Sequence, residues 1–273
     1  RPSFNPLILH IASIDQLDEN AETKSEAPHN ICKSFWTGPL TIVLPKKKIV
    51  PEIVTPGNST VAVRMPNHPI ALQIMKTIGG PIAAPSANTF GFLSPTTAKH
   101  VEKQLGKKVE IILDGGKCNV GVESTIVVVN NDIVQILRPG GISIEMLKNV
   151  YDRVEIKETG SNNPKAPGQL FHHYAPDIPV MFLDEVKREE VQNKKLAGLF
   201  FVENKTDYKF EKIEILSETG EIHEAAANLF RHLYSLESSG VDLILVESIT
   251  EDGLGMAIMD RLRTATNRYK IDY

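Results

Sequence analysis

The stretch from Lys157 to Pro179 divides the chain, because no regular helix or strand can run through it. Its small, polar and cyclic residues break every periodic pattern: Gly160, Ser161, Asn162, Asn163, Pro164, Pro167, Gly168, Pro176 and Pro179. Between them, the run from Leu170 to Tyr174 is too large and apolar for a solvated spacer. We expect a linker over 157–179 that docks onto a neighbouring surface, with one domain over 1–156 and another over 180–273.

The segment before the linker alternates short β-branched runs with helix signals, which is typical of an α/β domain. The pattern predicts a helix from Pro69 to Gly79 and another from Ser94 to near Gly106. It also predicts a buried strand, a hairpin and a short helix capped by Ser143. These strands are Val109 to Leu113 and the hairpin pair Thr125 to Val129 and Ile133 to Leu137.

The segment after the linker predicts a second α/β domain. Strands are expected at 180–183, 196–202 and 241–247, with a long helix near 221–236 and a final helix from about Gly255. One apolar stripe of the long helix has helical spacing and should pack against a sheet: Ile222, Ala225, Ala226, Leu229, Phe230 and Leu233.

Charge, hydropathy and cysteine usage exclude several classes of protein. Thirty Lys and Arg against 34 Asp and Glu leave a net charge of -4, which supplies no bulk attraction to nucleic acid or anionic lipid. The longest apolar runs are far shorter than the roughly 20 residues that cross a bilayer. Cys32 and Cys118 lie far apart and without metal-ligand spacing, so we expect a reducing compartment, with cytoplasm as the default.

Two loops with small hydroxyl residues suit an anion. Ala84 to Asn88 and Gly121 to Thr125 each place hydrogen-bonding groups where backbone N–H groups can approach an oxyanion. Arg64 and Arg138 follow β-branched runs and could hold a carboxylate or a phosphate. Each hydroxyl could instead satisfy its own backbone, and each arginine could be a solvated surface group. No phosphate-binding loop with a terminal Gly-Lys-Ser or Gly-Lys-Thr is present.

Ordered motifs along the chain resemble the YrdC-like L-threonylcarbamoyladenylate synthases. The catalytic-domain motifs are Arg1-Pro2-Ser3-Phe4-Asn5-Pro6-Leu7, Ser34-Phe35-Trp36-Thr37-Gly38-Pro39-Leu40-Thr41, Thr60-Val61-Ala62-Val63-Arg64, Pro85-Ser86-Ala87-Asn88, Glu123-Ser124-Thr125 and Leu137-Arg138-Pro139-Gly140. Further motifs resemble the longer, two-domain branch: Pro167-Gly168, His173-Tyr174-Ala175-Pro176, Gly253-Leu254-Gly255-Met256-Ala257 and Asp260-Arg261-Leu262.

The resemblance implies an open, twisted YrdC-like α/β catalytic domain, a linker that closes over its cavity, and a smaller Rossmann-like domain. It implies an enzyme, a nucleotidyltransferase that condenses L-threonine with bicarbonate or carbon dioxide and adenylates the carbamate with ATP and Mg²⁺. Pyrophosphate is released. The product would serve tRNA-threonylcarbamoyl transferase proteins, which modify the adenosine next to the anticodon of tRNA.

Site residues follow from the matching motifs. The resemblance assigns ATP to Arg1, Asn5, Thr60, Ser86, Ser94, Arg138 and Tyr174. It assigns L-threonine to His10, Arg64, Ala84 and Ser124, and Asn88 is a further candidate for the site without an assigned ligand. No residue is assigned as catalytic in itself and none as a metal ligand, because adenylation needs positioning and charge stabilisation rather than a protein nucleophile.

Two departures from the family pattern and two alternatives accompany this interpretation. The family has a segment with a Pro-Thr-Glu-Thr type strand and a lysine before the position of Arg1, and Thr37 stands where proline is usual. The main alternative is a non-catalytic double-stranded RNA-binding module of the same fold, and weak RNA binding is compatible with either function. A related carbamoyl transferase would need zinc-finger and acylphosphatase-like segments, and none is visible.

Overall fold

The computed structural model describes residues 5–130, 133–157 and 174–269, which pack as two compact units. One unit comprises Arg1–Pro85 and Glu123–Leu170, and the other comprises Ser86–Val122 and Phe171–Tyr273. The segment 86–122 thus packs with the C-terminal part of the chain, although it precedes the expected linker. The domain boundaries at 156 and 180 stay a prediction, because most of the expected linker lies outside the described residues.

Within the described residues, the first unit contains seven strands and four helices. The strands are β1 (Ile8–His10), β2 (Leu40–Pro45), β3 (Thr60–Arg64), β4 (Ile82–Ala84), β5 (Thr125–Asn130), β6 (Ile133–Arg138) and β7 (Arg153–Ile156). The helices are α1 (Asp15–Asn20), α2 (Ala27–Phe35), α3 (Pro69–Ile78) and, after α4 (Ala98–Leu105) of the other unit, α5 (Ile144–Lys148). A single 3₁₀ turn covers Glu52–Val54.

These strands form one mixed sheet in the order β4-β1-β3-β2-β5-β6-β7. β1 is parallel to β3, β2 is parallel to β5, and β6 is parallel to β7, whereas β4, β2 and β6 run antiparallel to β1, β3 and β5. Side chains alternate between the faces of the sheet. The larger apolar cluster covers one face, and a smaller one lies on the other, which we call the second face: Ile8, Val43, Ala62, Ile126 and Leu137.

Several local predictions are confirmed in this unit. α3 begins at Pro69, whose missing N–H costs nothing in a first turn, and ends before Gly79, which has φ 73°. The predicted hairpin is formed by β5 and β6, with positions 131 and 132 of its turn outside the described residues. Ser143 caps α5, because its side chain accepts a hydrogen bond from the Met146 N–H.

Two local predictions are wrong in the segment that precedes β5. Val109 to Leu113 forms no strand, and Ile111 and Leu113 are 78 % and 60 % exposed. A run of apolar residues becomes a strand only where a neighbour takes its backbone hydrogen bonds, and no strand in the described part of the chain pairs with this one. The helix expected from Ser94 begins later, at Ala98, because Thr97 is the residue that caps it.

The second unit carries a four-stranded parallel sheet, as an α/β domain of Rossmann type requires. Its strands are β8 (Val180–Phe182), β9 (Leu196–Phe200), β10 (Lys212–Ile215) and β11 (Leu243–Val246), in the order β10-β9-β11-β8. Its helices, besides α4, are α6 (Arg188–Val191), α7 (Ile222–Glu237) and α8 (Gly255–Asn267). β10 and α6 were not expected from the sequence.

The apolar stripe of α7 packs as expected against the sheet of this unit. Five of its six residues are buried, and Ile222 is partly buried. Leu254 and several α8 residues share this core, whereas Val191 of α6 packs in a separate cluster with Leu196, Leu243 and Leu245. Both units are therefore α/β, in agreement with the predicted class.

The described residues also bear on membrane-spanning helices, metal-binding clusters and the two cysteines. In 5–130, 133–157 and 174–269, no helix has the length and apolar character needed to cross a bilayer. Within the same ranges, no group of three or more His, Cys, Asp or Glu side chains could hold a metal ion. Cys32 is buried and Cys118 is exposed, and the two do not form a disulfide.

Candidate functional site

The predicted threonine residues of β1 and β3 lie side by side on the second face of the first unit's sheet. His10 is directly paired with Arg64, and Ile8 with Ala62. Since Ile8 and Ala62 belong to the second-face cluster, alternation also places His10, Arg64 and Thr60 on that face. Thr60 begins β3 and Arg64 ends it, so the two residues lie at opposite ends of this strand.

Arg64 acts on its neighbours by charge and by hydrogen bonding. Its Nε donates to the carbonyl oxygen of Gly38 at 3.1 Å, which orients the guanidinium at the end of β3. Burial and the positive charge of Arg64 lower the pKa of His10 to about 4. His10 is therefore neutral at pH 7, so the charge on this part of the face comes from Arg64.

Ser124 and Arg138 are brought into direct contact at the start of β5. Arg138 Nη2 donates to the carbonyl oxygen of Ser124 at 2.7 Å and to its hydroxyl at 3.2 Å, and Nε lies 3.3 Å from the same carbonyl oxygen. Both residues are buried. Arg138 is not the solvated surface arginine that the sequence left open, because its guanidinium organises the loop that carries Ser124.

The Gly38 to Thr41 segment joins the two parts of the face. Besides the contact from Arg64 to Gly38, the carbonyl oxygen of Pro39 accepts the Thr125 N–H at 2.9 Å. Thr41 lies beside Ser124, with 2.7 Å between their hydroxyl oxygens. Thr41 belongs to a motif of the family resemblance, but the sequence assigned it no role. A hydroxyl residue at the start of a buried strand is the feature that could have indicated one.

Gly140 allows the chain after β6 to pass against the Ser124 loop. A Cβ at this position would lie 2.4 Å from both the Glu123 carbonyl oxygen and the Thr125 nitrogen. The approach is held by the Gly141 N–H, which donates to the Glu123 carbonyl oxygen at 2.9 Å. A glycine after Arg138 is therefore a steric requirement of the loop.

Asn5 is the one predicted ATP residue whose buried side chain has unmet hydrogen-bonding capacity. It is 3 % exposed, and neither Oδ1 nor Nδ2 has a hydrogen-bond partner in the described ranges. A buried amide without partners is costly, so a ligand that binds both atoms would be strongly favoured. Arg1, the other predicted ATP residue of this motif, lies outside the described residues.

Ala84 and Ser86 stand on either side of the division between the units. Ala84 ends β4, where it pairs with Ile8 on the second face. Ser86 is exposed and belongs to the second unit. The first unit therefore brings together His10, Arg64, Ala84, Ser124 and Arg138 on one sheet, while Ser86 is described with the other unit.

The remaining predicted residues lie together in the second unit. Asn88 Nδ2 donates to the Phe92 carbonyl oxygen at 2.9 Å, so this amide closes its own loop. Phe92 forms a parallel bridge with Ala175, whose N–H donates to the Gly91 carbonyl oxygen at 3.2 Å. The segment after Tyr174 is thereby attached to the loop that also carries buried Ser94.

Tyr174 is held in a strained backbone conformation by the burial of its ring. Its φ is 64°, a region that costs a non-glycine residue of order 1–2 kcal/mol. The ring packs 5.9 Å from Phe230 and under the guanidinium of Arg261 at 4.8 Å, and Arg261 is ion-paired with Asp260. The motif Asp260-Arg261-Leu262 thus fixes Tyr174. The preceding residues Phe171, His172 and His173 lie outside the described chain.

Two family models match consecutive parts of the chain. A model described as "Telomere recombination", for the Sua5, YciO and YrdC proteins, matches residues 1–140. A second, described as "Threonylcarbamoyl-AMP synthase, C-terminal domain", matches residues 142–267. The order of the two matches agrees with the predicted two-domain branch.

Three relatives named threonylcarbamoyl-AMP synthase are similar to this chain over most of their length. The threonylcarbamoyl-AMP synthase of Pyrococcus abyssi is 42 % identical over 99 % of this chain and 82 % of the relative. That of Bacillus subtilis is 38 % identical over 97 % of this chain and 80 % of the relative. The synthase of Schizosaccharomyces pombe is 35 % identical over 98 % and 78 %.

The fold is similar to a solved structure. The crystal structure of P. abyssi Sua5 complexed with L-threonine superposes with a TM-score of 0.88 at 40 % identity, covering 97 % of this chain and 81 % of that one. The similarity extends over both α/β units, so it concerns the two-domain architecture as a whole.

The depressed pKa of His10 predicts a loss of stability in acid. The folded chain holds His10 neutral down to about pH 4, whereas an unfolded histidine binds a proton below about 6.5, so stability falls as the pH drops through this window. His10→Gln cannot titrate and should lose about 3 kcal/mol less than the parent between pH 7 and pH 4. Urea unfolding at both pH values measures the difference. Equal losses in the two proteins would contradict it.

The close approach at Gly140 predicts a local and severe effect of one methyl group. Gly140→Ala should lower the free energy of unfolding by about 2 kcal/mol and displace the Ser124 loop, because the Cβ meets backbone atoms that cannot rotate away. Gly80→Ala is the matched control, since nothing lies within 4 Å of its Cβ. Thermal unfolding compares the two; equal melting temperatures would show that the loop tolerates the side chain.

Proposed function

The chain belongs to the threonylcarbamoyl-AMP synthase family in its two-domain form, and we propose that it makes threonylcarbamoyl-AMP from L-threonine, bicarbonate or carbon dioxide, and ATP. The predicted family, the α/β fold in two domains and the assignment to the synthases are confirmed. The substrates beyond the family name, and the residues that bind them, are proposals.

The proposed chemistry has two steps. The neutral amine of threonine attacks carbon dioxide and loses a proton, which gives a carbamate. A carbamate oxygen then attacks the α-phosphorus of ATP, the bond from that phosphorus to the oxygen bridging to the β-phosphate breaks, and pyrophosphate leaves. The protein must align two anionic reactants and stabilise charge at the phosphate, and it needs no nucleophile of its own.

The threonine side of the site is proposed to be Arg64, His10, Ser124 and the backbone of Ala84. Arg64 would bind the carboxylate, because its guanidinium is held at the end of β3 and the adjacent His10 is neutral and does not compete for the anion. Ser124 would contribute its hydroxyl from the same face. Ala84 lies on β4, which pairs with the β1 strand that carries His10.

ATP is proposed to be bound by the residues that the family resemblance assigns to it: Arg1, Asn5, Thr60, Ser86, Ser94, Arg138 and Tyr174. Asn88 is a further candidate without an assigned ligand. Asn5 supports this assignment through its unpartnered amide. The observation that carries the proposal is the Arg138–Ser124 hydrogen bond, which joins a residue proposed for ATP to one proposed for threonine.

Magnesium is proposed as part of the substrate, in the form of MgATP. In residues 5–130, 133–157 and 174–269 no carboxylate and histidine cluster of metal-binding size is found, and the proposed ATP residues carry no carboxylate. Mg²⁺ commonly keeps several waters and is bound through substrate phosphates, which fits this donor set.

Downstream partners and location stay predictions. The product is a mixed anhydride that must be consumed by a transferase, and the proposed recipients are the tRNA-threonylcarbamoyl transferase proteins acting next to the anticodon. A cytoplasmic location is proposed with them. The alternative RNA-binding module is separated by titrating RNA binding with salt, because phosphate-driven binding must weaken steeply.

Pyrophosphate release tests the reaction directly. We expect release only when ATP, L-threonine and bicarbonate are all present, because the carbamate is the attacking group. Each substrate is omitted in turn in a coupled phosphate assay, with heat-treated protein as the control. Release that continues undiminished without threonine would contradict the proposed reaction.

Arg64→Ala should weaken threonine much more than ATP. A charge-assisted contact to a carboxylate is worth about 1.5–3 kcal/mol, so the Kd for threonine should rise at least tenfold. Calorimetry with each ligand separately measures both affinities. Arg263→Ala is the control, since this arginine of α8 is ion-paired with Glu251, which precedes the helix. Unchanged threonine binding would remove Arg64 from the site.

Tyr174 should matter both to stability and to ATP. Tyr174→Ala removes a buried ring from between Phe230 and Arg261, so the free energy of unfolding should fall by about 3 kcal/mol and the KM for ATP should rise. Tyr174→Phe keeps the ring and should keep the stability. Urea unfolding and initial rates measure the two effects. A fully active and stable Tyr174→Ala variant would sink the assignment.

A further inference from the structure

A buried pair of hydroxyl groups lies at the centre of the proposed site. Thr41 Oγ1 is 2.7 Å from Ser124 Oγ, and the two residues are 0 % and 2 % exposed. We infer that Thr41 is a positioning residue that commits the Ser124 hydroxyl to donate toward an anionic oxygen of the bound substrate. This inference rests on the proposed function and deepens it.

Arg138 fixes one side of the Ser124 hydroxyl. A guanidinium has only hydrogen-bond donors, so Nη2 at 3.2 Å must donate to the Ser124 oxygen. The same nitrogen donates at 2.7 Å to the Ser124 carbonyl oxygen, which holds the residue in register with the cation. One of the two acceptor positions of the Ser124 oxygen is therefore occupied.

The second acceptor position is taken by Thr41. The hydroxyl of Thr41 makes no other hydrogen bond within the described residues, and the side chain has no access to water. If Ser124 donated to Thr41, the hydrogen of Thr41 would be left buried without an acceptor, which is unfavourable. Donation from Thr41 to Ser124 avoids this cost.

With both acceptor positions filled, Ser124 can serve a ligand only as a donor. The group that meets it must then be an acceptor, and an anionic oxygen gives the strongest bond. Within threonine and its carbamate, the carboxylate and carbamate oxygens meet this requirement, whereas the ammonium group does not. Thr41 thus selects which end of the substrate Ser124 contacts.

Thr41→Val removes this hydroxyl with little change of shape, and Thr41→Ser retains it. Thr125→Val is the matched control. Thr125 is also 0 % exposed, but its hydroxyl donates to the Ile142 carbonyl oxygen at 2.6 Å and accepts from the Ile142 N–H at 2.8 Å. Loss of the Thr125 hydroxyl should lower the melting temperature, and it should not weaken threonine binding more than ATP binding.

We expect Thr41→Val to raise the Kd and KM for threonine about tenfold while the KM for ATP stays within about twofold. Thr41→Ser should restore threonine binding. In a Ser124→Ala background, Thr41→Val should have no further effect on threonine, because Thr41 acts through Ser124. Calorimetry with threonine alone and initial rates with all substrates give the required readouts.

Other outcomes overturn the inference. Unchanged threonine affinity in Thr41→Val, with a weakened affinity in Ser124→Ala, would leave the proposed function standing and exclude a role for Thr41. If Thr41→Val and Thr125→Val each weakened the affinities for threonine and for ATP by the same factor, Thr41 would have only a structural role. A parent chain that neither binds threonine nor releases pyrophosphate would refute the proposed function and the inference together.

Discussion

The close contact between the chain after β6 and the start of β5 is the constraint on which the site depends. Gly140 passes within van der Waals distance of the Glu123 and Thr125 backbone, where any side chain would collide. Two residues earlier, Arg138 donates to both oxygens of Ser124. Steric exclusion at one residue therefore determines how a cation and a hydroxyl are presented on the sheet.

Arg64, and not His10, supplies the positive charge at the end of β1 and β3 on the same face. Burial and Arg64 keep His10 neutral, and Arg64 is oriented by a backbone carbonyl oxygen of the Gly38 to Thr41 segment. That segment also holds the Thr125 N–H and places Thr41 against Ser124. One short connection between α2 and β2 thus links the carboxylate-binding side of the proposed site to its phosphate-binding side.

Packing within the second unit restrains the position of Tyr174. Tyr174 remains in an unfavourable backbone region because its ring is buried beside Phe230 and Arg261, and the following residue is bridged to Phe92. Burial of an aromatic ring is worth more than the strain it offsets. A residue proposed for ATP is in this way held by the core of the second unit.

The sequence alone determined the local elements and the family. Proline and glycine bounded α3, Ser143 capped α5, and the stripe of α7 faced its sheet, because capping and helical periodicity depend on neighbours in sequence. The same reasoning failed at Val109 to Leu113 and overlooked β10, since a strand exists only if a distant strand pairs with it. Tertiary structure alone decided that Thr41 meets Ser124 across 83 positions of sequence and that Gly140 must lack a side chain. Such contacts are set by strand order and register, which no local pattern encodes.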